Sequence, residues 1–271
     1  MATIALRSND AVEAEAHIEV SLQRRPDHGP TWLLAGQIAQ SRGDLGLAVQ
    51  RLDRAAALDP KREDAAFARG RASIELAGRV PSNTPGRPDL AGLIADLERR
   101  FPHFAPGWIA VSADLERIGQ FKPALAAAAR AANAAPSVAA FLKCAQLALQ
   151  LAQPQLAADA LQRALALDPN LPPVWFKLGV ILQDSKRRDA AIHAYQRALA
   201  LKPDMAEAAV NLGILLQDSG DIDAAKRAYG TALRERADTF GRIAQALTAA
   251  PKGELWLDLG ALRSHLSTLG V

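Results

Sequence analysis

Six prolines recur along this chain at nearly constant distance: Pro26, Pro60, Pro102, Pro136, Pro169 and Pro203, separated by 34, 42, 34, 33 and 34 residues. Each closes an Ala/Leu-rich run with helical spacing, and proline cannot continue a helix. A repeat of this period implies one supersecondary unit stacked on copies of itself, each burying an apolar face against its neighbours. Length then adds units instead of deepening a single core, which suits a chain of 271 residues. Such an array offers a long surface, and long surfaces favour binding over catalysis.

Residues 172–204 show the unit most clearly, reading PPVWFKLGVILQDSKRRDAAIHAYQRALALKPD. Trp175, Leu178, Ile181 and Leu182 recur at helical spacing, and residues 185–188 interrupt with polar side chains. A second apolar stripe runs through Ala191, Ile192, Tyr195, Ala198 and Leu199 before Pro203 ends it. The pattern predicts a hairpin of two amphipathic helices joined by a short polar turn. Gly179, Ala191 and Ala198 fall where antiparallel helices come closest, and a bulky side chain there would force the axes apart.

The small sites recur in register. They are Gly36, Gly70, Ser112, Ala145, Gly179 and Gly213 in the first helices, and Ala14, Ala48, Ala124, Ala157, Ala191 and Ala225 in the second. Trp32, Trp108, Phe141 and Trp175 stand four residues before their first-helix small sites, where they would wedge between hairpins. The set Trp175, Leu178, Gly179, Leu182, Ala191, Tyr195, Ala198 and Pro203 resembles the W-L-G-Y-A-F-A-P pattern of the tetratricopeptide repeat. The resemblance implies an all-α, right-handed solenoid of stacked antiparallel hairpins. It covers residues 1–238: a truncated hairpin over 1–28, then hairpins over 29–62, 63–104, 105–137, 138–171, 172–205 and 206–238. The 63–104 copy departs from the rest. It carries about eight extra residues in the segment GRVPSNTPGRP (78–88), which has three prolines and two glycines, and it has Leu90 and Leu97 where small residues are usual.

Composition narrows the function classes. A net charge of only +3 is far from the clustered excess expected of a nucleic-acid binder. Cys144 is the single cysteine, and the five histidines are scattered with no helical zinc spacing, so no metal site or cofactor is expected. No nucleotide-binding loop or nucleophile elbow is present, and the expectation is a protein that is not an enzyme. The start, MATIALRSND, is too short and too soon polar for a secretory signal, and no apolar run approaches the ~20 residues that span a bilayer. A soluble cytoplasmic protein without membrane insertion is expected, and an Ala-rich, Arg-over-Lys composition points to a bacterial source.

By resemblance, the first helices line the concave face and their open polar residues contact a ligand. Lys143, Lys177 and Asn211 each lie two residues before a small site and so share one place in three successive hairpins. Two ammonium groups and an amide would suit an acidic or C-terminal peptide segment. The competing reading is that the lysines merely keep an exposed face soluble. Gln146, Gln183 and Gln217 lie further along the same helices, with Asp184 and Asp218 beside the last two, and Gln37, Gln40, Phe67 and Arg71 hold the amino-terminal part of the face. Phe67 reads equally as an apolar anchor for a partner or as core. The 78–88 insertion reads as a tolerated loop or a flap over a partner, and Lys186, Arg187 and Arg188 as a solvated turn or a contact for an acidic surface.

After residue 238 the rhythm changes. Thr239 is placed to cap a helix carrying Phe240, Ile243, Ala244 and Leu247, and Asp258 to cap a final helix carrying Leu259, Leu262, Leu266 and Leu269. Residues 239–271 form either a cap on the last hairpin or a docking element in which Trp256, Leu262 and Leu266 meet a partner. The expected function is a non-catalytic scaffold or adaptor for a peptide or protein. An assembly chaperone or regulatory subunit of a bacterial enzyme or secretion system, the recognition arm of a larger glycosyltransferase, and self-association through the solenoid ends stay open beside it.

Overall fold

The computed structural model describes residues 11–249 and 259–269. It divides into two compact units, Met1–Leu147 and Ala148–Val271. Among the described residues the only regular structure is helical, as the apolar spacing implies. The stub expected before residue 11 and Trp256 lie outside the described residues.

The first unit begins with α1 (Ala11–Arg24), α2 (Gly29–Ser41) and α3 (Leu45–Leu58). It continues through α4 (Glu63–Arg79), α5 (Leu90–Arg100), α6 (Ala105–Arg117) and α7 (Phe121–Ala134), and into α8 (Val138–Gln150). Starts and stops follow local chemistry. Pro lies in the first turn of α2 and α6, where its missing N–H costs nothing, and Asp44 and Asp89 accept from the backbone N–H groups of Leu47 and Ala91. Pairs α2–α3, α4–α5 and α6–α7 pack as hairpins, and the first helices α2, α4 and α6 also touch in succession.

In the second unit α9 (Pro154–Leu167) is followed by the hairpins α10 (Pro172–Asp184)–α11 (Arg188–Leu201) and α12 (Ala206–Ser219)–α13 (Ile222–Glu235). A 3-10 turn over Ala237–Thr239 leads into α14 (Phe240–Ala249), and α15 (Leu259–Thr268) follows. The α14 helix lies on α12 and α15 on α13, so these two helices cover the last hairpin much as a further hairpin would. Ile243, Leu247, Leu262 and Leu266 are all 0% exposed, in one core with Tyr229 and Leu233. Leu262 and Leu266 therefore serve the cap, and the docking role considered for them fails because neither reaches the surface. Thr239 also acts otherwise than expected: its hydroxyl donates back to the Arg236 carbonyl at 2.6 Å.

The small sites sit where the helices touch. A Cβ added to Gly36 would lie 2.4 Å from Leu52, one on Gly179 2.6 Å from the Tyr195 ring, and one on Gly213 2.4 Å from the Tyr229 ring. Gly70 is looser, its added Cβ meeting Leu97 at 3.0 Å, and Leu97 stands where Leu52 does against Gly36 and a tyrosine ring does against Gly179 and Gly213. The tryptophans do more than wedge. Trp32, Trp108 and Trp175 donate their indole N–H to the carbonyls of Pro26, Phe101 and Pro169 at 2.7, 3.0 and 2.8 Å. Each thereby satisfies a backbone acceptor left open where the preceding helix ends.

Arg51 is an unexpected core residue. The matching positions in the four hairpins from residue 105 onward are Ala127, Ala160, Ala194 and Ala228. Arg51 is buried, donates to the Ala35 carbonyl at 3.1 Å and pairs with Glu15 and Glu19 on α1. The inserted segment differs from its expectation too. The α4 helix continues through Gly78 and Arg79, and the Arg87 guanidinium returns to donate twice to the Ala77 carbonyl, at 3.2 and 3.0 Å.

The turns between paired helices use one residue with positive φ: Gly220 (94°) in the last hairpin but Lys186 (57°) in the one before. A side chain there costs about 1–2 kcal/mol. Lys186→Gly should therefore raise stability by about 1 kcal/mol in urea unfolding. Gly179→Ala should lower it by about 1–3 kcal/mol through overpacking on Tyr195, although alanine is the better helix former. A neutral Gly179→Ala would mean the helices separate easily.

Candidate functional site

The first-helix faces of the two units carry different chemistry. In the first unit the polar groups neutralise one another between successive helices. Gln40 of α2 donates to Glu75 of α4 at 3.0 Å, and Arg79 pairs with the same carboxylate at 2.9 Å. Arg71 of α4 pairs with Asp114 of α6 at 2.6 Å, and Arg117 joins Asp114 at 3.1 Å. Lys143 of α8 pairs with Glu116 of α6, and Gln146 donates to the other oxygen of Glu116 at 3.0 Å.

Three candidate contacts, Arg71, Lys143 and Gln146, thus already hold carboxylates of their own unit. Asp114 and Glu116 escaped sequence reading because single acids on a helix face look like solvent-facing residues until the neighbouring helix is in place. Gln37 is exposed on α2. Phe67 is 2% exposed, with ring centroids 5.2 Å from both Phe104 and Trp108 and 6.3 Å from Phe101. It is a core residue, and the anchor role fails because the ring is enclosed by other aromatics.

The second unit arranges its polar residues as a chain of hydrogen bonds. The Tyr195 hydroxyl donates to Gln183 at 2.8 Å and accepts from the Asn211 amide at 3.3 Å. The Asn211 oxygen accepts from Arg242 of α14 at 3.3 Å. One hairpin on, the Tyr229 hydroxyl donates to Gln217 at 2.9 Å, and the Gln217 amide donates to the Ala246 carbonyl at 3.0 Å. Gln217 is 1% exposed, which removes it from any ligand surface. Gln183 is half-buried and orients Tyr195.

Lys177 is exposed and makes no hydrogen bond or ion pair among the described residues. Lys177 and Asn211 hold the same register in consecutive hairpins, and Arg242 of α14 extends that row through its hydrogen bond to Asn211. Arg242 lies after residue 238, where the sequence pattern marked no register. No group of three His, Cys, Asp or Glu among the described residues is placed to hold a metal ion, and no described helix is long and apolar enough to cross a membrane.

Residues 182–250 match the family model of the tetratricopeptide repeat. Among solved structures, MamA aligns at 18% identity over 75% of this chain and 95% of its own, with a TM-score of 0.46. YrrB, described as a TPR protein with an unusual peptide-binding site, aligns at 18% identity over 86% and 96%, also with a TM-score of 0.46. The Cut9–Hcn1 hetero-tetramer of the APC/C aligns at 15% identity over 91% of this chain and 48% of that one, with a TM-score of 0.42. No curated protein matches the sequence.

Both tyrosines of the chain sit in the two hydrogen-bonded hairpins. Burial pushes the Tyr195 hydroxyl up to about 12, with the negative charge of Asp184 adding to the shift. Burial raises Tyr229 as well, aided by Asp218. An unfolded tyrosine ionises near 10. The folded pKa is raised, so the stability these groups confer is fully present below pH 10 and is lost as pH climbs through the folded value. Native protein should therefore show no phenolate step at 295 nm near pH 10, and the same protein in denaturant should. A normal step in the native protein would mean that the two hydroxyls are not held as described.

Proposed function

We propose that the chain is a non-catalytic interaction module that holds a peptide or partner segment on the first-helix face of its second unit. Lys177, Asn211 and Arg242 are the leading contacts. One observation carries the reading. Along this row no carboxylate among the described residues pairs with the cations, whereas in the first unit Arg71 and Lys143 are each engaged by an acid. An ammonium, an oriented amide and a guanidinium together suit a carboxylate, from an acidic side chain or a chain end. Asn211 is pre-organised by Tyr195 and Arg242, which reduces the ordering cost of binding.

The test is fluorescence anisotropy with a labelled glutamate-rich dodecapeptide ending in a free carboxylate. Lys177→Glu/Arg242→Glu should weaken binding at least about tenfold, equivalent to about 1.4 kcal/mol. Helicity and melting should stay unchanged, because both side chains are exposed. Gln37→Ala should have no effect. Equal binding by wild type and the double variant would remove this face as the site.

A further inference from the structure

The same two first helices carry a second row of charge, opposite in sign to the first. On α10 the exposed face reads Lys177, Val180, Asp184, and on α12 it reads Asn211, Ile214, Asp218. Both sets are spaced i, i+3, i+7, which keeps them on one side of a helix. Both are separated by 34 residues, so each member has its counterpart in the next hairpin. Val180 and Ile214 are half-buried and form an apolar floor between the charged ends. Asp184 and Asp218 are exposed and enter no hydrogen bond or ion pair among the described residues. Their charges are felt at the Tyr195 and Tyr229 hydroxyls, which places them beside the hydrogen-bonded chain that orders this face.

The corresponding register in the first unit is used internally. Glu75 stands where Asp184 does and is held by Gln40 and Arg79; Arg71 stands where Val180 does and is held by Asp114. In the second unit, among the described residues, Lys177, Arg242, Asp184 and Asp218 form no ion pair. An all-acidic ligand laid along these helices would meet Asp184 and Asp218 as like charges, which costs affinity and selects against that partner.

We infer that the ligand of this face is a bipolar peptide segment, with a carboxylate at the Lys177–Asn211–Arg242 row, an apolar side chain on Val180 and Ile214, and a basic side chain at Asp184 and Asp218. Seven helical residues set the two rows about 10 Å apart. An extended peptide covers that distance in about three residues. The recognised segment therefore carries an acid and a base three positions apart around an apolar residue. This inference rests on the assignment of the ligand to the first-helix face of the second unit and adds the charge order that the ligand must have.

Three labelled dodecapeptides of equal leucine content provide the test, built from repeated Glu-Leu-Ser-Lys, Glu-Leu-Ser-Glu or Lys-Leu-Ser-Lys. Wild type should bind the mixed peptide at least about tenfold more tightly than either of the others. Asp184→Lys/Asp218→Lys should turn preference toward the all-glutamate peptide, and Lys177→Glu/Arg242→Glu toward the all-lysine peptide. Circular dichroism confirms that each variant is folded. If wild type prefers the all-glutamate peptide and reversal of the two aspartates leaves that affinity unchanged, the bipolar ligand is refuted while the acidic one stands. If no peptide binds, or reversal at Lys177 and Arg242 changes nothing, both assignments fall.

Discussion

The contact that everything else in the second unit rests on is a tyrosine ring pressed against a glycine. Tyr195 lies on Gly179 and Tyr229 on Gly213, at distances that leave no room for even a methyl group. That approach brings each hydroxyl to the edge of the hairpin, where Gln183 and Gln217 receive it. From Tyr195 the order passes outward to Asn211 and Arg242. Packing of an apolar ring thus fixes the position of a polar amide on the surface. In the first hairpin Leu52 replaces the ring against Gly36 and has no hydroxyl to extend the chain.

The two units have resolved the same scaffold in opposite ways. Polar residues on the first-helix face of the first unit are consumed in contacts between successive helices, with Asp114 and Glu116 each taking two donors. Partly exposed pairs of this kind add little stability individually. Their larger effect is to occupy charges that would otherwise meet a ligand. The second unit replaces that network with hydrogen bonds between tyrosine and amides, which leave the cations and carboxylates of its face uncommitted.

How much of this was legible in the sequence follows from the range of the interactions. Gly36, Gly179 and Gly213 could be read because periodicity repeats the same steric demand every hairpin. The cap helices could be read from the spacing of Ile243 and Leu247, and of Leu262 and Leu266. Gln183, Gln217 and Lys143 could not be assigned, because an amide or ammonium on a helix face looks the same whether it meets water, a ligand or a neighbouring helix. Their partners lie 12 to 29 residues away. Phe67 was undecidable for a related reason: the aromatics that enclose it come mainly from α6 and the turn before it.

Arg51 has a consequence for how such an array is assembled over time. At a position where the hairpins from residue 105 onward keep alanine, this one buries a guanidinium whose charge, among the described residues, is met by Glu15 and Glu19 of α1. A standard hairpin spliced in ahead of α2 would offer that guanidinium no acid, and a buried unpaired cation costs several kcal/mol. Repeats can be duplicated or lost elsewhere at modest cost, since each meets its neighbours through similar small and apolar residues. At this junction they cannot, and the order of the first two modules is fixed by electrostatics.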